Sequence, residues 1–399
     1  MTPALAHEND LCARERGFDS IVCFGGVDWW YHNRGHFDLQ MMREFSKELP
    51  VLYVNSIGMR FPQLSEGVVF AKRIRRKLSS MRRGVVRVSE SFSVYSPFCI
   101  PGRFGRAPSA ALLAFQVRRA MAELGFAKPL IWVNNPMAWD ALGHIPHSAL
   151  VYNRTDRYED FPSADPSQVR VVDQLFKASA DLTLYCADSL MGEPGEGDAC
   201  HSAAFVDHGV DYESFLTGAE GPDPEDLRDI PGPRIGFVGG IDSHTFDAPL
   251  FQQVVERMPD VHFVLVGGTT FGDGWLSAPN VHFLGRKPYA EVHRYSGRFD
   301  VLIMPWNRNP WIEVCNPVKL KEYLATGRPV VTTPFRELGR YEGYVRVAEG
   351  PEAFAEAIRG ALAPESPEAG ARRQQRVAGE TWEAQSQRAL TLLDGIEAQ

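Results

Sequence analysis

The chain has 399 residues, of which 44% are hydrophobic and 23% charged, a composition typical of soluble proteins with large cores. Its formal net charge of -8 argues against a protein that binds nucleic acid through a general positive field, so no nucleic acid is expected as a partner. The N-terminus is polar and of mixed charge, unlike a signal peptide, and no apolar run approaches the length of a membrane span. We therefore expect a cytoplasmic protein, with residues 1–16 as a disordered tail.

Short apolar strands alternate with amphipathic helices between residues 17 and 210. Strands are predicted at 20–26, 50–56, 129–135, 149–156 and 181–187, and helices at 36–49, 107–126 and 166–180. Continuous β-branched runs between helices are typical of a parallel sheet that is buried on both faces.

A second series of the same kind follows residues 211–233, which are rich in Gly, Pro and acidic residues and are predicted to be a linker. The sequence thus predicts an α/β fold with two doubly wound, Rossmann-like domains, 17–210 and 234–375. A C-terminal helix, 376–399, is predicted to pack back towards the first domain. Ligands of such sheets bind beyond the carboxyl ends of the strands, which places the predicted site in an interdomain cleft.

Gly-Gly pairs end three predicted strands, at 25–26, 239–240 and 267–268. Glycine lets the backbone approach a ligand, and a following helix directs free N–H groups at an anion. Each pair alone is equally consistent with an ordinary turn. The sequence contains neither the glycine pattern of dinucleotide dehydrogenases nor a P-loop, which disfavours both classes.

The most specific stretch is NPVKLKEYLATGRPVVTTP, residues 316–334. Asn316 is predicted to cap a short helix, and Leu320 with Leu324 to face the core. Lys319 and Glu322 then share another face. A cation is disfavoured in the first turn of a helix unless an anion such as a phosphate lies beside it, and a carboxylate can accept hydrogen bonds from ribose hydroxyls. The alternative is a solvated surface helix.

This stretch, with HFLGRKPYAEVHRYSGRFDVLIMPW (282–306) upstream and VDHGVDYESF (206–215) at the domain junction, resembles the group 1 GT-B glycosyltransferases. These are nucleotide-sugar-dependent enzymes of bacterial polysaccharide and glycoconjugate synthesis. The resemblance implies a GT-B fold with an N-terminal acceptor-binding domain and a C-terminal domain that binds a UDP-, GDP- or dTDP-sugar.

The same resemblance implies roles for particular residues. Glu322 would hold the donor ribose, Lys319 would face the diphosphate together with Asn316 and the loop before it, and Gly239 and Gly240 would line the phosphates. Residues 281–288 match the place where the base is usually held.

Two departures from the family pattern concern charge. Val314 stands where many members have a first acidic residue, with Glu313 beside it, and the usual Arg and Lys are missing after the glycine turn at 239–240. Neutralisation of the phosphates must then depend on Lys319, on helix N-termini, and on Arg286 or Arg308. No convincing DxD motif is present, so no metal cofactor is expected to be required.

Candidate catalytic residues come from the N-terminal domain. Asp156 follows a predicted strand and could deprotonate an acceptor hydroxyl, as an inverting transferase requires; it could equally cap the next turn or pair with Arg154 or Arg157. His36 could contact the sugar, carry a proton or be structural, and Asp28 is a second candidate carboxylate. Gly25 and Gly26 could let the donor phosphates approach from the opposite wall. The group 1 resemblance favours retention of the anomeric configuration, whereas Asp156 as a base favours inversion.

Residues 70–87 contain eight Lys and Arg residues, seven of them between 72 and 83. With apolar residues on one helical side, this segment is predicted to contact an anionic membrane, at the inner face of the plasma membrane, where a lipid-linked acceptor would be found. The alternatives are a solvated helix face or an arm that grips an anionic acceptor.

These observations together predict a hexosyltransferase-like enzyme that moves a sugar from a nucleotide diphosphate sugar to a hydroxyl acceptor. The expected acceptor is a lipid-linked saccharide or glycoconjugate precursor. Two alternatives stay open: a GT-B-like enzyme that hydrolyses or epimerises a nucleotide sugar, and a non-catalytic protein that binds a sugar or nucleotide.

Overall fold

A computed structural model describes residues 16–31, 35–57, 75, 79–98, 106–162, 164–272 and 274–396, and it contains two α/β sheets. The first sheet has eight strands in the order β3-β4-β2-β1-β5-β6-β7-β8, parallel except for the antiparallel pair β3 and β4. Its strands are β1 Ser20–Phe24, β2 Val51–Val54, β3 Val85–Arg87, β4 Phe92–Tyr95, β5 Pro129–Val133, β6 Ala149–Arg154, β7 Leu182–Tyr185 and β8 Ala203–Phe205.

Helices cover both faces of this sheet. They are α1 Phe37–Phe45, α2 Arg106–Leu124, α3 Trp139–Leu142, α4 Pro166–Ser179 and α5 Asp188–Met191. In β1, Ile21 and Cys23 face the core on the α1 side, whereas Val22 and Phe24 face the core under α2 and α4. This alternation follows from the period of two of a strand and explains why the strands are apolar throughout.

The second sheet has six strands, all parallel, in the order β11-β10-β9-β12-β13-β14. Its strands are β9 Arg234–Val238, β10 His262–Val266, β11 Val281–Gly285, β12 Val301–Met304, β13 Val330–Thr332 and β14 Arg346–Val347. The helices are α6 Tyr212–Leu216, α7 Ala248–Arg257, α8 Tyr289–Ser296, α9 Pro310–Glu313, α10 Val318–Ala325, α11 Pro351–Leu362 and α12 Pro367–Val377. The predicted two-sheet α/β fold is therefore confirmed.

The last helix, α13 Trp382–Leu393, belongs to the core of the first sheet. Its Trp382 ring lies 5.9 Å from the ring of Phe37 on α1. Within the segment predicted to be a linker, 211–233, Phe215 and Leu227 are buried in the core of the second sheet. The chain thus crosses between the two halves twice.

A buried ion cluster joins the halves beside the cleft. The Lys321 ammonium on α10 lies 2.7 Å from the Asp207 carboxylate, which follows β8, and 2.8 Å from Glu380. Arg340 also pairs with Asp207. Because breaking one partner of a buried pair leaves an uncompensated charge, this cluster holds α10 against the end of the first domain.

Strands β3, β4 and β8 and helix α12 were not predicted. The three strands have three or four residues each, too few to show a periodic pattern, and α12 is polar over most of its length. In the basic segment, residues 70–74 and 76–78 lie outside the described residues. Among the described residues, no helix combines the length and the apolar character needed to cross a bilayer.

Candidate active site in the interdomain cleft

A cavity of about 460 Å³ lies between the carboxyl ends of the two sheets. Both halves of the chain contribute to its lining, as expected for doubly wound domains. The predicted site residues that line it are Gly26, His36, Asp156, Gly240, Asn316 and Lys319. The start of α10 therefore faces an interdomain crevice rather than bulk solvent.

Asn316 does not cap α10, so that prediction was wrong. The helix begins at Val318 after Pro317 and has no side-chain cap. The buried Asn316 amide instead donates two hydrogen bonds, one of 2.6 Å to the carbonyl of Cys186 and one of 2.7 Å to the carboxylate of Asp207. An amide nitrogen with two protons satisfies two buried acceptors of the first domain, and Asn316 thereby ties the loop before α10 to that domain.

Lys319 lies in the first turn of α10 between two aromatic rings. Its Nζ atom is 4.5 Å from the ring centroid of Phe237 and 5.3 Å from that of Trp306. A Cβ added at Gly239, where φ is +152°, would lie 2.2 Å from this Nζ atom. The glycine turn after β9 therefore leaves room for the lysine head group as well as permitting the backbone conformation.

Burial lowers the pKa of Lys319 to about 8, although the carboxylates of Glu322 and Asp242 act in the opposite direction. Among the described residues that line the cleft, Lys319 is the one lysine or arginine. An anion at the start of α10 would restore a partner to a cation that burial now disfavours.

Glu322 lies one turn further along α10 and is 7% exposed. The Tyr289 hydroxyl on α8 donates 3.0 Å to its Oε1 atom. Burial raises the pKa of Glu322 to about 7, with Tyr289 and Lys319 opposing the shift. The Tyr289 ring also contacts the first domain, since a Cβ added at Gly35 would lie 2.8 Å from it. Glu322 is thus a positioned carboxylate behind Lys319, outside the cleft lining itself.

The two arginines considered for phosphate neutralisation lie elsewhere. Arg308 is exposed and pairs with the exposed Glu349. Arg286 is exposed and lies over Gly268 at the end of β10, where an added Cβ would be 2.3 Å from its Nε atom. Neither is among the residues that line the cleft.

The glycines after β1 differ from each other in their surroundings. A Cβ added at Gly25 would lie 2.1 Å from the Tyr53 ring, so Gly25 is needed for packing. Gly26 lines the cleft, and its N–H donates 2.8 Å to Asp38. An added Cβ there would have its nearest neighbour at 3.8 Å.

This difference makes Gly25 and Gly26 a matched pair. Gly25→Ala is expected to lower the free energy of unfolding by about 1–3 kcal/mol, because the fully buried Tyr53 ring has no space to retreat. Gly26→Ala is expected to leave stability within about 0.5 kcal/mol. Urea denaturation of both variants measures this, and equal losses would contradict it.

Asp156 lies in the cleft beyond β6. Burial raises its pKa to about 7, with Thr155, Arg154 and Trp311 opposing the shift. The short 3-10 helix that follows, Tyr158–Asp160, has no side-chain cap. Among the ion pairs of the described residues, Arg157 pairs with Asp160 and Glu193 rather than with Asp156.

Arg154 is fully buried and anchors the loop that carries Asp156. Its guanidinium lies 2.7 Å from Asp173, 2.8 Å from Glu196 and 3.1 Å from Glu159. An ion pair between Arg154 and Asp156, one of the alternatives considered for Asp156, is not among the ion pairs of the described residues. The buried Arg154 thus fixes the loop, and the Asp156 carboxyl faces the cleft.

The two remaining catalytic candidates occupy different places. His36 precedes α1, is exposed, and lines the cleft. Asp28 is not among the lining residues, and its carboxylate accepts a hydrogen bond of 3.0 Å from the backbone N–H of Trp30.

Several lining residues were not predicted. His208 enters from the domain junction, and Trp311 on α9 crosses towards the first domain, where its ring lies 5.9 Å from Phe161. Asp242 follows the second glycine turn, and its carboxylate accepts from the N–H groups of His244 and Thr245. Among the described residues, no group of three or more His, Cys, Asp or Glu side chains is placed to hold a metal ion.

Residues 232–363 match the family model described as glycosyl transferases, group 1. A similar curated protein is a putative teichuronic acid biosynthesis glycosyltransferase, TuaH of Bacillus subtilis (strain 168), which is 36% identical over 133 residues. That alignment covers 32% of this chain and spans about a third (33%) of the relative.

Solved structures resemble the whole chain. Sucrose-phosphate synthase from Thermosynechococcus elongatus has a TM-score of 0.67 at 15% identity, over 94% of this chain and 98% of its own. Anabaena HepE in complex with UDP and glucose has a TM-score of 0.65 at 15% identity, over 95% and 100% of the two chains. At this level of identity the likeness concerns the fold, which is GT-B.

Proposed function

We propose that this chain transfers a sugar from a nucleotide diphosphate sugar to a hydroxyl acceptor. Its residues 232–363 match the group 1 glycosyltransferases, and its two sheets form a GT-B fold. One observation carries the proposal. The start of α10 presents a desolvated ammonium, Lys319, to an interdomain cleft, with the Glu322 carboxylate one turn behind it.

The chemistry of this helix start suits a nucleoside diphosphate. Lys319 can pair with the phosphates, and Glu322 can accept hydrogen bonds from ribose hydroxyls. Asp156 faces the same cleft from the other domain and supplies a carboxyl group whose pKa near 7 suits a general base. The solved relative HepE holds UDP and glucose, which supports a sugar nucleotide as the donor.

The test is a screen of UDP-, GDP- and dTDP-sugars with candidate hydroxyl acceptors, read by mass spectrometry and followed by anomeric assignment of the product. Transfer of the sugar to an acceptor supports the proposal. Release of free sugar at the same rate with and without every acceptor would identify a hydrolase instead. Tight nucleotide binding without any turnover would identify a binding protein.

Glu322→Gln is expected to weaken donor binding about 10- to 100-fold, since a hydrogen bond to a charged group contributes about 1.5–3 kcal/mol. Tyr289→Phe removes the hydroxyl that holds Oε1 and is expected to weaken binding less, because the carboxylate itself is kept. Isothermal titration with the nucleotide that the wild-type protein binds measures both. An affinity unchanged in Glu322→Gln would remove Glu322 from the donor site.

We further propose a lipid-linked saccharide as the acceptor and a peripheral location on an anionic membrane. The name of TuaH refers to the biosynthesis of a polysaccharide, teichuronic acid, which supports this class of acceptor. Phe98 and Phe115 are exposed apolar side chains (43% and 64%), and hydrogen bonds between the Gln116 side chain and the backbone of Phe98 bring these two segments of the chain together. Co-sedimentation of the full chain with phosphatidylglycerol vesicles, against phosphatidylcholine vesicles, tests the proposal.

A further inference from the structure

His208 lines the interdomain cleft and has no role in the function proposed above. It follows β8 and sits at the junction between the two halves of the chain. Its backbone is fixed on both sides: the N–H donates 2.7 Å to Asp207, and the carbonyl accepts from the Lys321 ammonium at 2.5 Å. Lys321 lies on α10 between Lys319 and Glu322, so the position of His208 is tied to the helix that would hold the donor.

The His208 ring packs edge-to-face against two aromatic side chains. The Phe37 ring centroid is 5.3 Å away at an interplanar angle of 82°, and that of Trp382 is 6.4 Å away at 86°. Such edge-to-face contacts fix the orientation of an imidazole without using its nitrogen atoms. The ring is therefore positioned by packing, and its polar atoms remain for another purpose.

The two ring nitrogens differ in their surroundings. Nδ1 is sealed from solvent and has no hydrogen-bond partner among the described residues. A buried N–H without a partner is costly, so the proton belongs on Nε2. Nε2 makes no hydrogen bond within the described part of the chain. It is not one of the buried polar atoms without a partner, so it is accessible from the cleft. The ring thus offers one N–H donor to the cleft.

Burial keeps this ring neutral. Burial lowers the pKa of His208 to about 4; the neighbouring cations Lys321 and Arg340 and the nearby His36 add to the effect, and Asp207 opposes it. A histidine with so low a pKa is a weak base near pH 7 and is poorly suited to carry a proton between reactants. It can donate a hydrogen bond to an uncharged oxygen, such as that of a sugar hydroxyl.

We infer that the His208 Nε2–H group contacts a hydroxyl of the sugar carried by the nucleotide donor. The inference rests on the proposed function. Residues 281–288, where the resemblance places the base, are not among those that line the cleft, whereas Lys319 and Asp156 are. The end of the donor that reaches His208 is therefore the diphosphate and sugar end, and His208 is a specificity-determining residue for the transferred sugar.

The test compares a nucleotide sugar with its parent nucleotide. Wild type is first titrated with three pairs of compounds: UDP-glucose and UDP, GDP-mannose and GDP, and dTDP-glucose and dTDP. The pair that wild type binds is then used to compare its affinities with those of His208→Phe by isothermal titration. Phenylalanine keeps the ring contacts and removes a buried atom that has no partner, so the melting temperature is expected to be unchanged or higher. We expect the affinity for the nucleotide sugar to fall about tenfold and that for the parent nucleotide to change less than about twofold.

The outcomes separate the two proposals. Binding of none of the six compounds by wild type would overturn the proposed function and this inference with it. Equal loss for nucleotide and nucleotide sugar, or no loss for either, would overturn the inference alone. If His208→Phe melts at a lower temperature than wild type, the same titrations are made with His208→Gln. Its amide can still donate, so recovery of the preference for the sugar form supports the contact, and failure to recover it overturns the contact.

Discussion

Replacing Lys319 with Met is expected to weaken binding of the nucleotide diphosphate donor by about 10- to 100-fold. A charge-assisted hydrogen bond contributes about 1.5–3 kcal/mol, and each 1.4 kcal/mol corresponds to a factor of ten in affinity. Among the described residues that line the cleft, no second lysine or arginine can take its place. Methionine can still pack between Phe237 and Trp306, so the variant is expected to fold.

The same lysine is expected to make donor affinity depend on pH. Burial sets the pKa of Lys319 near 8 in the free protein, so the ammonium form predominates below pH 8 and is lost above it. A bound diphosphate favours the charged form, and binding above pH 8 must therefore take up a proton. Donor affinity of the wild type is expected to fall as pH rises from 8 to 9, and this fall is expected to be absent in Lys319→Met.

Arg308→Met is the matched control. It removes a cation of the same loop region that is exposed, pairs with Glu349 and lies outside the cleft lining. Isothermal titration at pH 7 should show wild-type affinity for this variant. A large loss in Arg308→Met together with a small one in Lys319→Met would place the diphosphate at the loop 307–309 rather than at α10.

What could be predicted of the site depended on local spacing. Lys319 and Glu322 share a face because they are three residues apart on one helix. Leu320 and Leu324 are four residues apart, and both enter the core. The carboxyl ends of parallel strands meet at one edge of a sheet, so the positions of Gly26 and Asp156 also followed from the order of elements.

What could not be predicted depended on partners distant in sequence. Tyr289 meets Glu322 across 33 residues, and the carbonyl of His208 meets Lys321 across 113. No periodic pattern connects such positions. Asn316 shows the same limit, because its amide satisfies acceptors of the first domain, a demand that outweighed its local preference for a helix cap. Arg154 was considered as a partner of Asp156 from proximity in sequence, but a buried guanidinium needs several carboxylates, which tertiary structure supplies.

Replacing Asp156 with Asn is expected to lower turnover about 100-fold or more while leaving donor affinity within about twofold. A positioned general base contributes about 10²- to 10⁴-fold, and an amide cannot accept the proton of an acceptor hydroxyl. In the wild type the base form is the ionised carboxylate, which is populated above the pKa of about 7. The rate of transfer is therefore expected to rise with pH through 7 and level off above it. Asp160→Asn, on the same loop and paired with Arg157, is the control expected to keep turnover.

Stability should move in the opposite direction from turnover in Asp156→Asn. The pKa of Asp156 is raised from 3.8 to about 7 in the folded protein, so the folded state binds the proton more tightly than the unfolded chain. The stability associated with this group is complete below pH 3.8 and is lost as pH rises through 7. Asparagine carries no such cost, and its melting temperature should exceed that of the wild type by more at pH 8 than at pH 5. Full turnover in Asp156→Asn, with a product of retained configuration, would exclude Asp156 as the base. The stereochemistry of transfer would then depend on the residues that hold the donor.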